Sequence, residues 1–189
     1  MKTLLNIFCT IILLCLFSTC RNINCPDFDE DVLSWYPYEE GSVIHLESKT
    51  TDTLLTIPIV NVMVSHTSHY NTGSKCEGGC NDEIQIDSRA GFSISVYLEK
   101  NKIKSEHYNV NGESFYENAI ISDNYTFNGK EYEQVKIFEK AKSHSKLIVA
   151  RNFGIVGFID KDGNEWLLLE NSVRPQVKPN IISSGCGEP

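Results

Sequence analysis

The sequence predicts an all-β fold, an antiparallel meander of about eight to ten strands forming a barrel-like or sandwich domain with little helix. Three observations carry this. Short segments alternate apolar and polar residues with period two, as in Val43–Ser48 and Phe92–Leu98. Asn111-Gly112 and Asn128-Gly129 are tight-turn pairs in which both residues tolerate positive φ. No long stretch repeats its apolar residues at helical spacing.

In chain order, the aromatic cluster Trp35-Tyr36-Pro37-Tyr38 runs into Gly41 and is expected to plug one end of the core. Val43–Ser48 is a strand, followed by the β-branched run Thr53–Ser65, in which Pro58 cannot donate to a ladder and so marks an edge or a bulge. Glu83–Asp87 and Phe92–Leu98 alternate cleanly, and a turn at Asn101-Lys102 leads into Ile103–Val110. Glu113–Ala119 and Phe138–Lys142 are each long enough for a turn or two of helix. Tyr125–Phe127, Tyr132–Phe138, Leu147–Arg151 and Ile155–Ile159 are strands, and Lys161-Asp162-Gly163-Asn164 turns the chain into Glu165–Leu169. Alternation on most strands implies one wet face and one dry one, with Trp35, Phe92, Phe138, Phe158 and Trp166 bounding an interior that is either a solid core, the preferred reading, or a cavity for an apolar ligand as in lipocalin-like barrels.

Met1–Cys20 fixes the compartment. Lys2 supplies the positive start of an export signal, Leu4–Phe17 its apolar centre and Ser18-Thr19 the small residues favoured at cleavage. The run is interrupted by Asn6 and Thr10 and stopped by Arg21-Asn22, which is too little apolar chain for a membrane span of about 20 residues. Phe17-Ser18-Thr19-Cys20 resembles the lipobox of bacterial lipoproteins, with Phe17 and Thr19 departing from its preferred residues. That resemblance implies cleavage before Cys20 and acylation of Cys20, which would hold the protein on a membrane. Cys25-Pro26 with Leu33–Gly41, Tyr125–Tyr132 and Phe153–Trp166 together resemble the small, β-rich, mostly uncharacterised lipoproteins of Bacteroidota. The resemblance implies an address and a fold, and no catalytic role.

The chain accordingly divides into a signal peptide (1–19), a lipid-anchor tether with the aromatic lead-in segment (20–41), a β domain (42–170) and a C-terminal tail (171–189). Cleavage before Cys20 removes one lysine and no acid, leaving 16 Lys and Arg against 25 Asp and Glu, a net charge of −9 with His neutral. This balance argues against nucleic acid, whose binding needs clustered cations to neutralise phosphates. Four cysteines, Cys25, Cys76, Cys80 and Cys186, are left once Cys20 is acylated, an even number that favours two disulfides in an oxidising compartment. Their pairing stays open among three connectivities, with a bridge from one end of the chain to the Cys76–Cys80 loop preferred because it closes more chain.

Chemistry-bearing patterns are sparse. His66 and His69 with Cys76 and Cys80 are the nearest approach to a zinc ligand set, but i,i+3 spacing on an extended segment points two histidines to opposite faces. Asp160–Glu165 lacks the spacing of a calcium loop and reads as a hairpin turn. There is no nucleophile elbow and no phosphate-binding glycine loop. The expectation is a lipid-anchored extracytoplasmic binding or scaffold protein without catalytic activity, metal or cofactor, its partner an apolar ligand or a protein. Its anchor is expected in the outer membrane, facing the periplasm or the cell surface. The alternatives are a hydrolase of cell-envelope or other polymers and a small metal-binding module.

Overall fold

The computed structural model describes residues 28–70, 78–89, 91–99, 102–116, 119–140, 144–169 and 181–183. Among them is one short helix, α1 (Glu30–Leu33), followed by β1 (Val43–Ser48), β2 (Leu54–Tyr70), β3 (Gly78–Ser88), β4 (Phe92–Glu99), β5 (Lys102–Val110) and β6 (Glu113–Tyr116). Then come β7 (Ile120–Phe127), β8 (Lys130–Glu139), β9 (Lys146–Ala150), β10 (Gly154–Ile159), β11 (Glu165–Leu168) and β12 (Ile181–Ser183).

Eleven strands form a continuous antiparallel path in the order β6-β5-β4-β3-β2-β1-β11-β10-β9-β8-β7, and β12 pairs in parallel with β2. The chain meanders from β1 out to one edge at β6, then reappears at the opposite edge as β7 and meanders back until β11 pairs with β1. Laid flat, such a sheet is about 48 Å wide at about 4.8 Å between strands. Yet β6 and β7 are joined by only three residues, and four Cα steps from Tyr116 to Ile120 span at most about 15 Å. The connection therefore requires the sheet to curl until its edges approach, and the strands do form a half-barrel.

The long strand β2 makes the bend. Its first residues pair with β1, up to Val43 opposite Pro58, and from Ile59 onward it pairs with β3. The register slips between Ile59 and Asn61, so the bulge falls immediately after Pro58, where the sequence pattern put an edge or a bulge. Both Asn-Gly pairs are tight turns with positive φ at each residue, Asn111 at 52° and Gly112 at 78°, Asn128 at 51° and Gly129 at 73°.

Three expectations change. Phe138 and Glu139, read as the start of a helical turn, end strand β8, because they pair with Leu147 and Lys146 of β9. Glu113–Tyr116 is a strand and not a helical turn, because the Asn111-Gly112 turn returns the chain antiparallel along β5, with Glu113 and Phe115 buried and Tyr116 exposed. Within the stretch read as a C-terminal tail, Ile181–Ser183 forms β12, in register with Val64–His66 of β2. These two strands add to the ten that the alternation marks out.

The concave face encloses the main core. Tyr108, Phe92, Phe115, Phe138 and Phe158 are its largest fully buried side chains, and Trp35 and Trp166 pack against it half-buried. Tyr108 of β5 meets Phe138 of β8 with ring centroids 5.0 Å apart, so the two flanks of the curled sheet touch through side chains. A second apolar cluster of Tyr132, Val135, Ile137, Ile148, Ala150 and Val156 lies on the other face of β8–β10. Those strands are thus buried on both faces, which is why Lys146–Ala150 and Gly154–Ile159 read as nearly continuous apolar runs.

The aromatic lead-in segment is built into this core, as expected of a plug. Phe28, Val32, Tyr36 and Tyr38 are buried. Asp29 caps α1 by accepting from the Asp31 backbone N–H at 2.9 Å, and the helix is pinned by Arg151, which donates to Ser34 Oγ and Gln134 Oε1, each at 3.0 Å, and to Asp31. Phe28 and Val32 therefore belong to the folded domain although the sequence places them in or next to a tether.

Candidate functional site

Of the residues nominated from sequence, His66 and His69 lie on β2 and Cys80 on β3. In the β2–β3 ladder His66 stands opposite Asp82, Ser68 opposite Cys80 and His69 opposite Gly79. Positions 66 and 69 have opposite parity on a continuous strand, as their spacing implies. Cys20, Cys25, Cys76 and Cys186 lie outside the described residues, as do the signal stretch and the bridges proposed among the cysteines. Among the described residues no group of three or more His, Cys, Asp or Glu is placed to hold a metal ion.

The polar groups that the fold does bring together were not singled out by motif. Glu106 of β5 and Lys136 of β8 face each other across the seam of the half-barrel, both buried and ion-paired. Tyr36 from the lead-in segment donates its hydroxyl to the same Glu106 oxygen, and the Tyr108 hydroxyl lies beside that of Tyr36. The Lys136 ammonium sits 4.5 Å from the centre of the Trp35 ring and 5.7 Å from that of Tyr36. A second carboxylate closes the seam further along. Glu113 of β6 accepts from Ser145 Oγ at 2.6 Å, from Lys140 Nζ at 3.4 Å and from the Lys161 backbone N–H at 2.5 Å. No backbone ladder joins β6 to β7 or β8 among the described residues, so these carboxylate clasps and the Tyr108–Phe138 contact hold the two flanks together.

The electrostatics of the clasp follow from burial. Desolvation, reinforced by the Glu106 carboxylate, pushes the Tyr36 phenol above tyrosine's usual range, and burial does the same to Tyr38 and Tyr108. Desolvation lowers the Lys136 ammonium against the opposing pull of Glu106. A phenol whose folded pKa is raised contributes stability that is complete below its ordinary value of about 10 and is lost as the pH climbs beyond it. Lys136 acts in the opposite sense with a single proton, so the three phenols prevail and the fold weakens on the alkaline side. In an ultraviolet titration, three of the eight tyrosines should ionise only as the protein unfolds. Smooth ionisation of all eight before the near-ultraviolet circular dichroism changes would contradict this assignment.

A cleft of about 230 Å³ lies elsewhere, between the tip of the β7–β8 hairpin and the outer face of β10, β11 and β1. Phe127, Tyr132, Val156 and Leu167 line it, with Lys130 and Glu47 as its charged groups. Gly157 is what lets the hairpin tip lie so close. A Cβ there would overlap the Phe127 ring and stand 2.7 Å from the Trp166 carbonyl oxygen, which is backbone and cannot turn aside. Gly157→Ala is expected to cost about 1–3 kcal/mol by overpacking. A midpoint shift in urea together with faster amide exchange in β7 checks it, and an unchanged midpoint would show that the hairpin tip does not rest there.

At the β10–β11 turn, Asp160 accepts from the backbone N–H groups of Asp162 at 3.0 Å and Asn164 at 2.9 Å, from the Asn164 amide and from the Trp166 indole. Burial alone would raise its carboxyl, but those hydrogen bonds outweigh it and hold it below the usual range. The carboxylate is thus occupied in organising a hairpin turn, the reading its sequence favoured over a calcium loop.

Fold and site together define an all-β half-barrel with a clasped seam, a built-in aromatic lead-in and a small outer cleft. No protein-family model, no curated protein and no solved structure matches the chain.

Proposed function

We propose that the protein is a lipid-anchored extracytoplasmic binding or scaffold protein, tethered through Cys20 to the outer membrane and presenting its half-barrel to the periplasm or cell surface. The observation that carries this reading is the run Met1–Cys20, an export signal closing on a lipobox-like Phe17-Ser18-Thr19-Cys20, followed within a few residues by a segment built into the core of the domain. Among the described residues no helix is long and apolar enough to cross a membrane.

Two features favour binding over catalysis. The buried ionisable groups of the seam are tied to one another and serve to close the fold, with Glu106 held by Tyr36 and Lys136 and Glu113 by Ser145 and Lys140. The outer cleft, at about 230 Å³ and lined by Phe127, Tyr132, Val156 and Leu167, suits a small apolar group inserted from outside.

The test is the intact mass of the native mature protein before and after reduction and alkylation. The expected result is residues 20–189 with acyl chains on Cys20, and no alkylation at Cys25, Cys76, Cys80 or Cys186 until a reductant is added. An unacylated mass with freely alkylated cysteines would overturn the anchored, disulfide-bonded reading.

A further inference from the structure

Three of the six exposed large apolar side chains among the described residues fall within the short stretch where the chain crosses from one sheet edge to the other. Tyr116 ends β6 at 63% exposed, and Ile120 and Ile121 begin β7 at 56% and 67%. Adjacent isoleucines exposed on an edge strand are an association liability that folded proteins ordinarily cover or replace with charge.

Their position is set by the clasp. Ile121 is the cross-strand neighbour of Lys136, whose ammonium lies under the Trp35 ring. Tyr116 is the neighbour of His107, the residue next to Glu106, and its ring meets that of His107 edge-on at 6.0 Å. The three exposed side chains therefore lie at the end of the half-barrel where the lead-in segment is fastened, Ile121 on the side of Lys136 and Tyr116 and Ile120 on the outer side of the wall.

That segment is also where the chain arrives from Cys20. Eight residues, 20–27, precede the buried Phe28, and at about 3.5 Å per residue they reach at most about 28 Å. On the reading that Cys20 is acylated, on which this inference rests, the start of the lead-in segment, seven residues before Trp35, is held within one short tether of a bilayer. Aromatic side chains favour the headgroup layer, while a mature charge of −9 gives no attraction to anionic lipid.

We propose that Trp35, Tyr116, Ile120 and Ile121 form a rim that seats in the headgroup layer of the membrane carrying Cys20, through apolar contact and not through charge. The anchor then fixes the orientation of the domain as well as its location. The wall opposite the seam, formed by β2, β1 and β11, is turned towards the aqueous compartment.

The experiment uses the native acylated protein carrying Trp166→Phe, which leaves Trp35 as its one tryptophan, in phosphatidylcholine vesicles with and without brominated acyl chains. The expected result is loss of most Trp35 emission in the brominated vesicles. Ile120→Asp with Ile121→Asp should restore the emission while the protein still floats with the vesicles and keeps its melting temperature. Unquenched Trp35 in protein that floats would overturn the seat and leave the anchor standing. Protein that does not float would overturn the anchor and the seat with it. Dimers in detergent that the double substitution dissociates would assign the rim to a second copy of the chain and overturn the membrane seat.

Discussion

Replacing Lys136 by methionine lowers the stability of the folded protein by about 3–5 kcal/mol, because it leaves the Glu106 carboxylate buried at the seam without its cation. Methionine matches the alkyl stem of lysine and lacks only its ammonium, so the loss reports the missing charge, its contact with the Trp35 ring included, and not a large cavity. Tyr36 still donates to Glu106, but one neutral hydroxyl offsets only part of the desolvation of a carboxylate. Pairing the change with Glu106→Leu should recover most of the loss, since an apolar pair of similar volume has no buried charge to satisfy. The midpoint of urea unfolding at constant slope measures both. If the single substitution costs less than about 1 kcal/mol, typical of an exposed pair, the clasp does not hold the seam.

The same pair shows what was legible in the sequence and what was not. The period-two pattern locates β5 and β8, and the inward side of each carries a buried charge, Glu106 with Tyr108 and Val110 and Lys136 with Phe138. A charge at an inward position was the available signal. Its partner was not legible, because the two residues are 30 positions apart and meet only when the sheet curls. That curl depends on the strand order, and in particular on the last hairpin returning to β1.

Elsewhere the limits have equally physical causes. Val43–Ser48 and Phe92–Glu99 alternate in burial as their sequences alternate, because each has one face on the core. The strands β8 to β10 depart from that rule because the β7–β8 hairpin tip covers their outer face, a packing that no local pattern records. The four-residue β6 is too short to display a period, and only the preceding Asn111-Gly112 turn points to it. Proline and glycine dominate the stretch around β12, whose ladder partner on β2 is more than a hundred residues away. His66 and His69 attract attention by residue type, but a strand gives them opposite parity, which the spacing alone already implied.

Gly154→Ala should be the most damaging small substitution in the sheet, at about 3–5 kcal/mol, because two independent costs coincide there. Gly154 has φ +70°, where an L side chain costs about 1–2 kcal/mol whatever its surroundings. Its Cβ would also overlap the Tyr38 hydroxyl, which accepts a hydrogen bond from the Ile155 backbone N–H at 2.6 Å. Tyr38 cannot retreat freely, because its ring lies edge-on to Phe92 at 6.1 Å inside the main core. Gly163→Ala separates the two costs, since Gly163 has φ +85° with nothing within 4 Å of the added carbon. It should lose only the backbone term, so the difference between the two variants measures the contact with Tyr38. Because Tyr38 belongs to the lead-in segment, that contact is part of what fastens the domain to whatever holds its N-terminal side. Amide exchange in Gly154→Ala should therefore accelerate at Ile155 and along 28–41 before it does in β3 to β5. Equal losses in the two alanine variants, with no such local acceleration, would mean that Tyr38 does not lock the segment into the half-barrel.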